Sequence, residues 1–229
     1  MQIKLTSTGG KNACSVAWDP VSKTYYSAIA GNEEFPIDVF DSTGAFRQTI
    51  PAGVDLRGLW YNPEFDLLEG NTYEMHDVVS YEISDNGLVA DATPQVEMYE
   101  LPVAEPQATI ALNTDEALYV YYDAESNKFV ELETIEGEVI REQELSFPDA
   151  ENLNFTTVVY TGIEKGEYGF LNTEKKQVYL VDASNGSTTA TIQLPETAIT
   201  EDAFNFSFAN GKIWLFDADA RTWTAYDIY

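Results

Sequence analysis

Three features of this 229-residue chain predict an all-β fold of five four-stranded antiparallel blades closed into a β-propeller: a recurring strand motif, turn signals at matched spacing, and an unpartnered strand at the start that fits a vacancy at the end. The motif Val16-Ala17-Trp18-Asp19-Pro20 returns as Leu59-Trp60-Tyr61-Asn62-Pro63, with the two prolines 43 residues apart. Gly44 and Gly87, each closing a tight-turn signal between β-rich runs, are again 43 residues apart. Later repeats diverge in identity but keep one order: apolar strand, turn, aromatic strand, turn, alternating strand, glycine turn, polar strand. Candidate inner-strand ends at Asp19, Asn62, Asn113, Thr161 and Asn210 are spaced by 43, 51, 48 and 49 residues, which suits propeller blades.

Taken in order, residues 2–6 alternate polar and apolar side chains and belong to no blade of their own. Blade one is read as strands over 15–19, 24–28, 37–41 and 45–50. Blade two carries an extra stretch over 90–106, where Pro94, Pro102 and Pro106 argue for a long outer strand plus an extended loop. Blade three is read over 109–113, 117–123, 129–134 and 139–145, and blade four over 157–161, 168–172, 178–182 and 188–194 with Asn185-Gly186 as a hairpin turn. No helix is expected, since 131–144, the nearest candidate, is punctuated by Thr134 and Gly137 and patterned with period two. The fifth repeat offers only 204–209, 212–217 and 223–228 before the chain reaches Tyr229. Residues 2–6 fit the vacancy, so the N-terminal strand is expected to complete the last blade and leave no exposed edge.

Composition supports one globular domain over residues 1–229, with 44% hydrophobic and 13% aromatic residues. Twelve Lys and Arg against 39 Asp and Glu give a net charge of −27, which repels phosphate backbones and excludes nucleic acid as a partner. The charge itself reads as a self-repelling, soluble surface. No apolar run approaches the ~18 residues of a membrane span, so no membrane insertion is expected. Richness in Tyr, Thr and Asn with few Lys favours a periplasmic or secreted setting, with any leader already removed. A single cysteine, Cys14, rules out an internal disulfide and reads as a buried structural thiol, and one histidine rules out a Cys/His zinc site.

The run Val16-Ala17-Trp18-Asp19-Pro20, with Tyr25-Tyr26, Asn32, Ile37-Asp38-Val39-Phe40-Asp41 and Gly44, resembles the NHL and YVTN-type propeller repeats, echoed by Val178-Tyr179-Leu180-Val181-Asp182 and Gly186. Lys212-Ile213-Trp214-Leu215-Phe216-Asp217 and Trp223 are similar to a kelch-type blade. The resemblance implies a scaffold for binding proteins or small ligands rather than a chemistry. Gluconolactonase-like propellers open with a Glu-Gly-Pro segment that is absent here, while five-bladed glycosidases share the blade number and place three carboxylates in the central funnel.

Propeller ligands usually sit over the central channel, on the face made by loops that join one blade's outer strand to the next blade's inner strand. Those loops offer Asn12, Asp55, Arg57, Gln107, Asn154 and Asp202, with Asn205 beginning the last inner strand. Arg57, one of few cations, either orients an anionic ligand or makes an ion pair, and the pair is the simpler reading. No cofactor is expected; Ca²⁺ is the one metal that the oxygens of Asn12, Asp55, Asn154 and Asp202 would suit. The segments Asp182-Ala183-Ser184-Asn185-Gly186 and Asp217-Ala218-Asp219 read as hairpin turns rather than calcium loops. His76 is read as a surface-loop residue, and Trp18 and Trp60 as equivalent packing positions. No nucleophile elbow, triad or phosphate cradle appears. The expectation is a monomeric, non-catalytic propeller presenting channel-mouth loops to a protein, glycan or small molecule. The alternative is a calcium-dependent lactonase-type hydrolase or a five-bladed glycosidase.

Overall fold

The computed structural model describes residues 2–228; Met1 and Tyr229, the latter the expected end of the last blade, lie outside the described residues. Strand β1 (Lys4–Thr6) comes first. Blade one is β2 (Ala13–Asp19), β3 (Thr24–Ile29), β4 (Pro36–Asp41) and β5 (Phe46–Pro51). Blade two is β6 (Trp60–Asn62), β7 (Leu67–Asn71), β8 (Val78–Glu82) and β9 (Gln95–Met98). Blade three is β10 (Ala111–Asn113), β11 (Leu118–Asp123), β12 (Lys128–Glu133) and β13 (Val139–Glu144). Blade four is β14 (Val159–Tyr160), β15 (Tyr168–Asn172), β16 (Gln177–Val181) and β17 (Thr188–Gln193). The last sheet contains β18 (Phe206–Ala209), β19 (Lys212–Asp217) and β20 (Thr222–Asp227), with β1 as its outer strand. All pairings within the sheets are antiparallel, and β2, β6, β10, β14 and β18 neighbour one another in a closed inner ring. No helix occurs among the described residues, and none is long and apolar enough to cross a membrane.

Because blades pack face to face, the core is divided into five apolar clusters, one between each neighbouring pair. Alternation along each middle strand sends successive side chains into opposite clusters. Tyr25 packs with Trp214 and Trp223 between blades five and one, while Tyr26 packs with Tyr81 between blades one and two. Full burial of each such side chain contributes about 1.5–3 kcal/mol.

The ring closes through β1. Lys4, Leu5 and Thr6 lie opposite Thr224, Trp223 and Thr222, and Leu5 is fully buried. Trp223 Nε1 donates to Ser27 Oγ of blade one at 2.8 Å. Beyond β1, the buried carboxylate of Asp38 accepts from Ser7 Oγ at 2.9 Å and from Thr8 N and Oγ1 at 2.8 Å each. The first strand is therefore held by blade five and its exit by blade one.

Three local departures from the sequence reading have physical causes. Strand registers put Asp19 opposite Thr24 and Asn62 opposite Leu67, so Trp18 corresponds to Tyr61 and not to Trp60. A one-residue offset reverses the face, and Trp60 enters the interface of blades two and three, 5.5 Å from the Tyr119 ring, with Nε1 donating to buried Glu69 at 2.8 Å. Expected strand 157–161 is cut to two residues: at its start Thr157 N donates to Asn154 Oδ1 at 3.1 Å, and at its end Thr161 Oγ1 donates to Gly166 O at 2.6 Å and accepts from Ile163 N, turning the chain. Strand 204–209 starts only at Phe206, since Phe204 and Asn205 hold φ of 51° and 57°, outside the extended region. The hairpin readings of 182–186 and 217–219 match the contacts: Asp182 Oδ1 accepts from Ser184 N at 2.8 Å, and Asp217 Oδ1 accepts from Asp219 N and Ala220 N at 2.9 Å.

Candidate functional site

All five inner strands run in one direction, so the ring has an entry end, where loops 7–12, 52–59, 99–110, 145–158 and 194–205 arrive, and an exit end, where hairpins leave. The seven candidate residues all belong to the entry end. There Arg57 is buried and makes four hydrogen bonds: Nη2 donates to Asp55 Oδ2 at 3.1 Å, Nη1 to Asp55 Oδ1 and to Leu56 O, and Nε to Gln107 Oε1 at 2.9 Å. Its guanidinium lies 4.3 Å from the Tyr73 ring centre and 5.8 Å from that of Phe204. Asp55, Arg57 and Gln107 thus form one cluster bridging blades two and three, touching blade five through Phe204.

The remaining four surround that cluster at different depths. Buried Asn154 donates to Glu201 O and Phe204 O at 2.8 Å each, and its Oδ1 accepts from Thr157 N at 3.1 Å. Asp202 accepts from Thr173 Oγ1 at 2.8 Å and lies on the exposed side. Asn205 is buried, donates its backbone N–H to Ala13 O, and leaves its side-chain oxygen without a partner. Asn12 is exposed and joins the others only through its carbonyl, which accepts from Ala30 N next to the Gly31 N–H that Asp55 holds at 2.6 Å. Among the described residues no three His, Cys, Asp or Glu side chains are grouped to hold a metal ion.

His76, expected on the surface, is buried. Its Nδ1 lies 3.1 Å from Asn71 Nδ2, and burial holds its pKa below the ordinary value. Cys14 is buried close to Arg57, and burial pushes its thiol up to about 12, so it stays a protonated packing residue.

Between the inner strands, open space lies toward the other end. A cavity of about 340 Å³ occupies the channel between the inner strands and opens among the exit hairpins. Its inner limit is a layer containing Ser15, Thr109, Thr157 and Ser207, and the residues just before that layer, Cys14, Arg57, Ala108, Thr156 and Asn205, are buried and do not line it. The lining ends at this layer, and the Arg57 cluster lies on its entry side. The hydroxyls of its floor are engaged with one another or with backbone: Ser15 Oγ donates to Leu59 O at 2.8 Å, Val16 N donates to Ser207 Oγ at 2.9 Å, and Thr109 and Thr157 Oγ1 are 3.3 Å apart.

The wall has a regular origin. Each inner strand carries one side chain that is only partly buried, Trp18, Tyr61, Ala111, Tyr160 or Phe208, and all five line this cavity. Four are aromatic and Ala111 leaves a notch between them. Asp115, at the mouth, is the one charged residue in the lining among the described residues. Tyr160 Oη is closed off from solvent, and burial together with neighbouring Asp115 pushes its pKa up to about 12. These wall residues were not singled out as ligand contacts from sequence because each sits in an apolar strand that reads as packing. The usable signal was the 43-residue offset, which pairs Trp18 with Tyr61.

No protein-family model matches the chain, and comparison with curated proteins finds no relative by sequence. Solved structures share the fold. The glutaminyl cyclase of Myxococcus xanthus aligns with 98% of this chain and 95% of its own at 9% identity, with a TM-score of 0.60. A chain of the nidogen/laminin complex aligns with 95% of this chain and 77% of its own at 10% identity and a TM-score of 0.55. A protein of unknown function from Bacteroides caccae aligns over 93% and 82% at 14% identity and a TM-score of 0.50. At such identities the likeness is one of fold alone.

Proposed function

We propose that this propeller is a non-catalytic binding module that takes a small ligand into the central channel from the exit-hairpin end. The observation that carries the reading is the convergence of five partly buried wall residues, one per blade, on a cavity of about 340 Å³, the size range of small-molecule sites. The resemblance to NHL-type repeats supports a binding scaffold. The neighbours do not choose the activity, since one is a cyclase and another belongs to a protein complex. A glycosidase would need a pair of carboxylates, whereas the lining holds Asp115 alone. The entry-end residues Asp55, Arg57, Gln107 and Asn154 take a supporting part here, on the entry side of the lining.

The test is a ligand-observed NMR screen of fragments (aromatics, monosaccharides and amines) against the wild type and Ala111→Phe, which fills the notch. Hits that vanish in the variant, with its melting temperature preserved, support the channel. Hits that bind both proteins equally lie elsewhere and overturn it.

A further inference from the structure

Resting on the channel reading, we propose that the ligand is a small organic cation, a substituted ammonium, held by the aromatic wall and Asp115. Trp18, Tyr61, Tyr160 and Phe208 come from four different blades, so a guest in the channel meets aromatic surface on several sides. Such enclosure attracts a weakly hydrated cation through the ring quadrupoles and offers an anion nothing. Two of the rings are set in place before any ligand arrives. Trp18 packs 4.3 Å from Tyr25, and Tyr61 donates its hydroxyl to Asp66 at 2.8 Å.

Charge selects in the same direction. The lining contains no Lys or Arg among the described residues, its one ionised side chain is Asp115, and the molecule carries −27 overall. A low-dielectric channel in so acidic a protein concentrates cations at its mouth and speeds their entry.

A neutral sugar fits less well. Its hydroxyls need replacement hydrogen bonds, but the floor hydroxyls of Ser15, Ser207, Thr109 and Thr157 are already engaged, and Asn210 Nδ2 at the mouth donates to Tyr25 Oη at 2.6 Å. Leaving sugar hydroxyls dry is costly, whereas an alkylammonium gives up little hydration.

The experiment is calorimetric titration of the intact chain with choline, tetraethylammonium and butylammonium, and with 3,3-dimethyl-1-butanol, the neutral isostere of choline. At least one cation is expected to bind, with choline at least about tenfold tighter than its isostere, a loss of about tenfold in Asp115→Asn, and weakening with added NaCl. Asp115 is exposed, so that variant leaves the fold in place. Tyr160→Phe, which keeps the ring and removes the hydroxyl, is expected to retain most of the cation binding. Equal binding of choline and the isostere, or no binding by any cation while neutral fragments sensitive to Ala111→Phe do bind, overturns the cation assignment and leaves the channel reading standing. Absence of every Ala111-sensitive ligand overturns both.

Discussion

At His76 the acceptor on the ring follows from its neighbour: Asn71 Nδ2 can only donate, so Nδ1 accepts and Nε2 carries the proton. Burial then disfavours the charged ring and lowers its pKa below 6.5. A depressed histidine contributes stability that is present above its unfolded pKa and is lost as pH falls, because the unfolded chain takes up the proton first. Urea denaturation at several pH values between about 8 and 5.5 should show wild type losing stability relative to His76→Gln on acidification; parallel curves would refute it. Nothing in Asn71-Thr72-Tyr73-Glu74-Met75-His76-Asp77 announces this burial. Glu74 and His76 hold φ of 61° and 51°, values that residue types other than glycine and asparagine do not advertise. Arg57 is the opposite case, since an isolated cation in an acidic chain already suggested a pair. Arg57→Ala removes the hydrogen bonds to Leu56, Gln107 and partly exposed Asp55, and should lower the unfolding free energy by about 1–3 kcal/mol. A loss below about 0.5 kcal/mol, typical of surface substitutions, would show the cluster to be dispensable.

Between strands, close approach sets the tolerances. A Cβ on Gly70 would sit 2.4 Å from Gly58 O, and one on Gly58 would sit 2.5 Å from Asn71 Oδ1 and 2.7 Å from Ile110 O. Asn71 itself spans the gap between blades, donating to Ala108 O and accepting from Ile110 N. Gly70→Ala should therefore cost about 1–3 kcal/mol by overpacking, measured by denaturant titration, and a neutral result would mean the 52–59 loop yields freely to the added methyl. Legibility at this scale followed local chemistry. Hairpins with Asx turns, such as the one led by Asp182, were readable because the side chain that makes the turn is in the turn. The start of β18 was not, because Phe204 is held out of the strand by Asn154 and Thr156, which lie about fifty residues earlier.

For the molecule as a whole, the ring was readable because it is written several times, and the β1 closure because an unpaired strand at one end matched a vacancy at the other. The cavity was not readable, since its wall is assembled from single residues on five separate strands. The charge of −27 was readable and has a global consequence. Repulsion among surface carboxylates destabilises the compact state, so the melting temperature should rise with NaCl, mostly below about 0.15 M, where the screening length falls to about 8 Å. A flat profile would show that the charges are already compensated locally. The pairing of Leu5 with Trp223 also has a consequence in time. At roughly 5–20 residues per second, a ribosome needs roughly ten to forty seconds to pass from one to the other. Throughout that interval Leu5 has no strand to pair with, so blades one to four are made as an open arc. The ring becomes a ring only as the last strands emerge, and a stalled or truncated nascent chain would present a sticky edge to its neighbours on the same message.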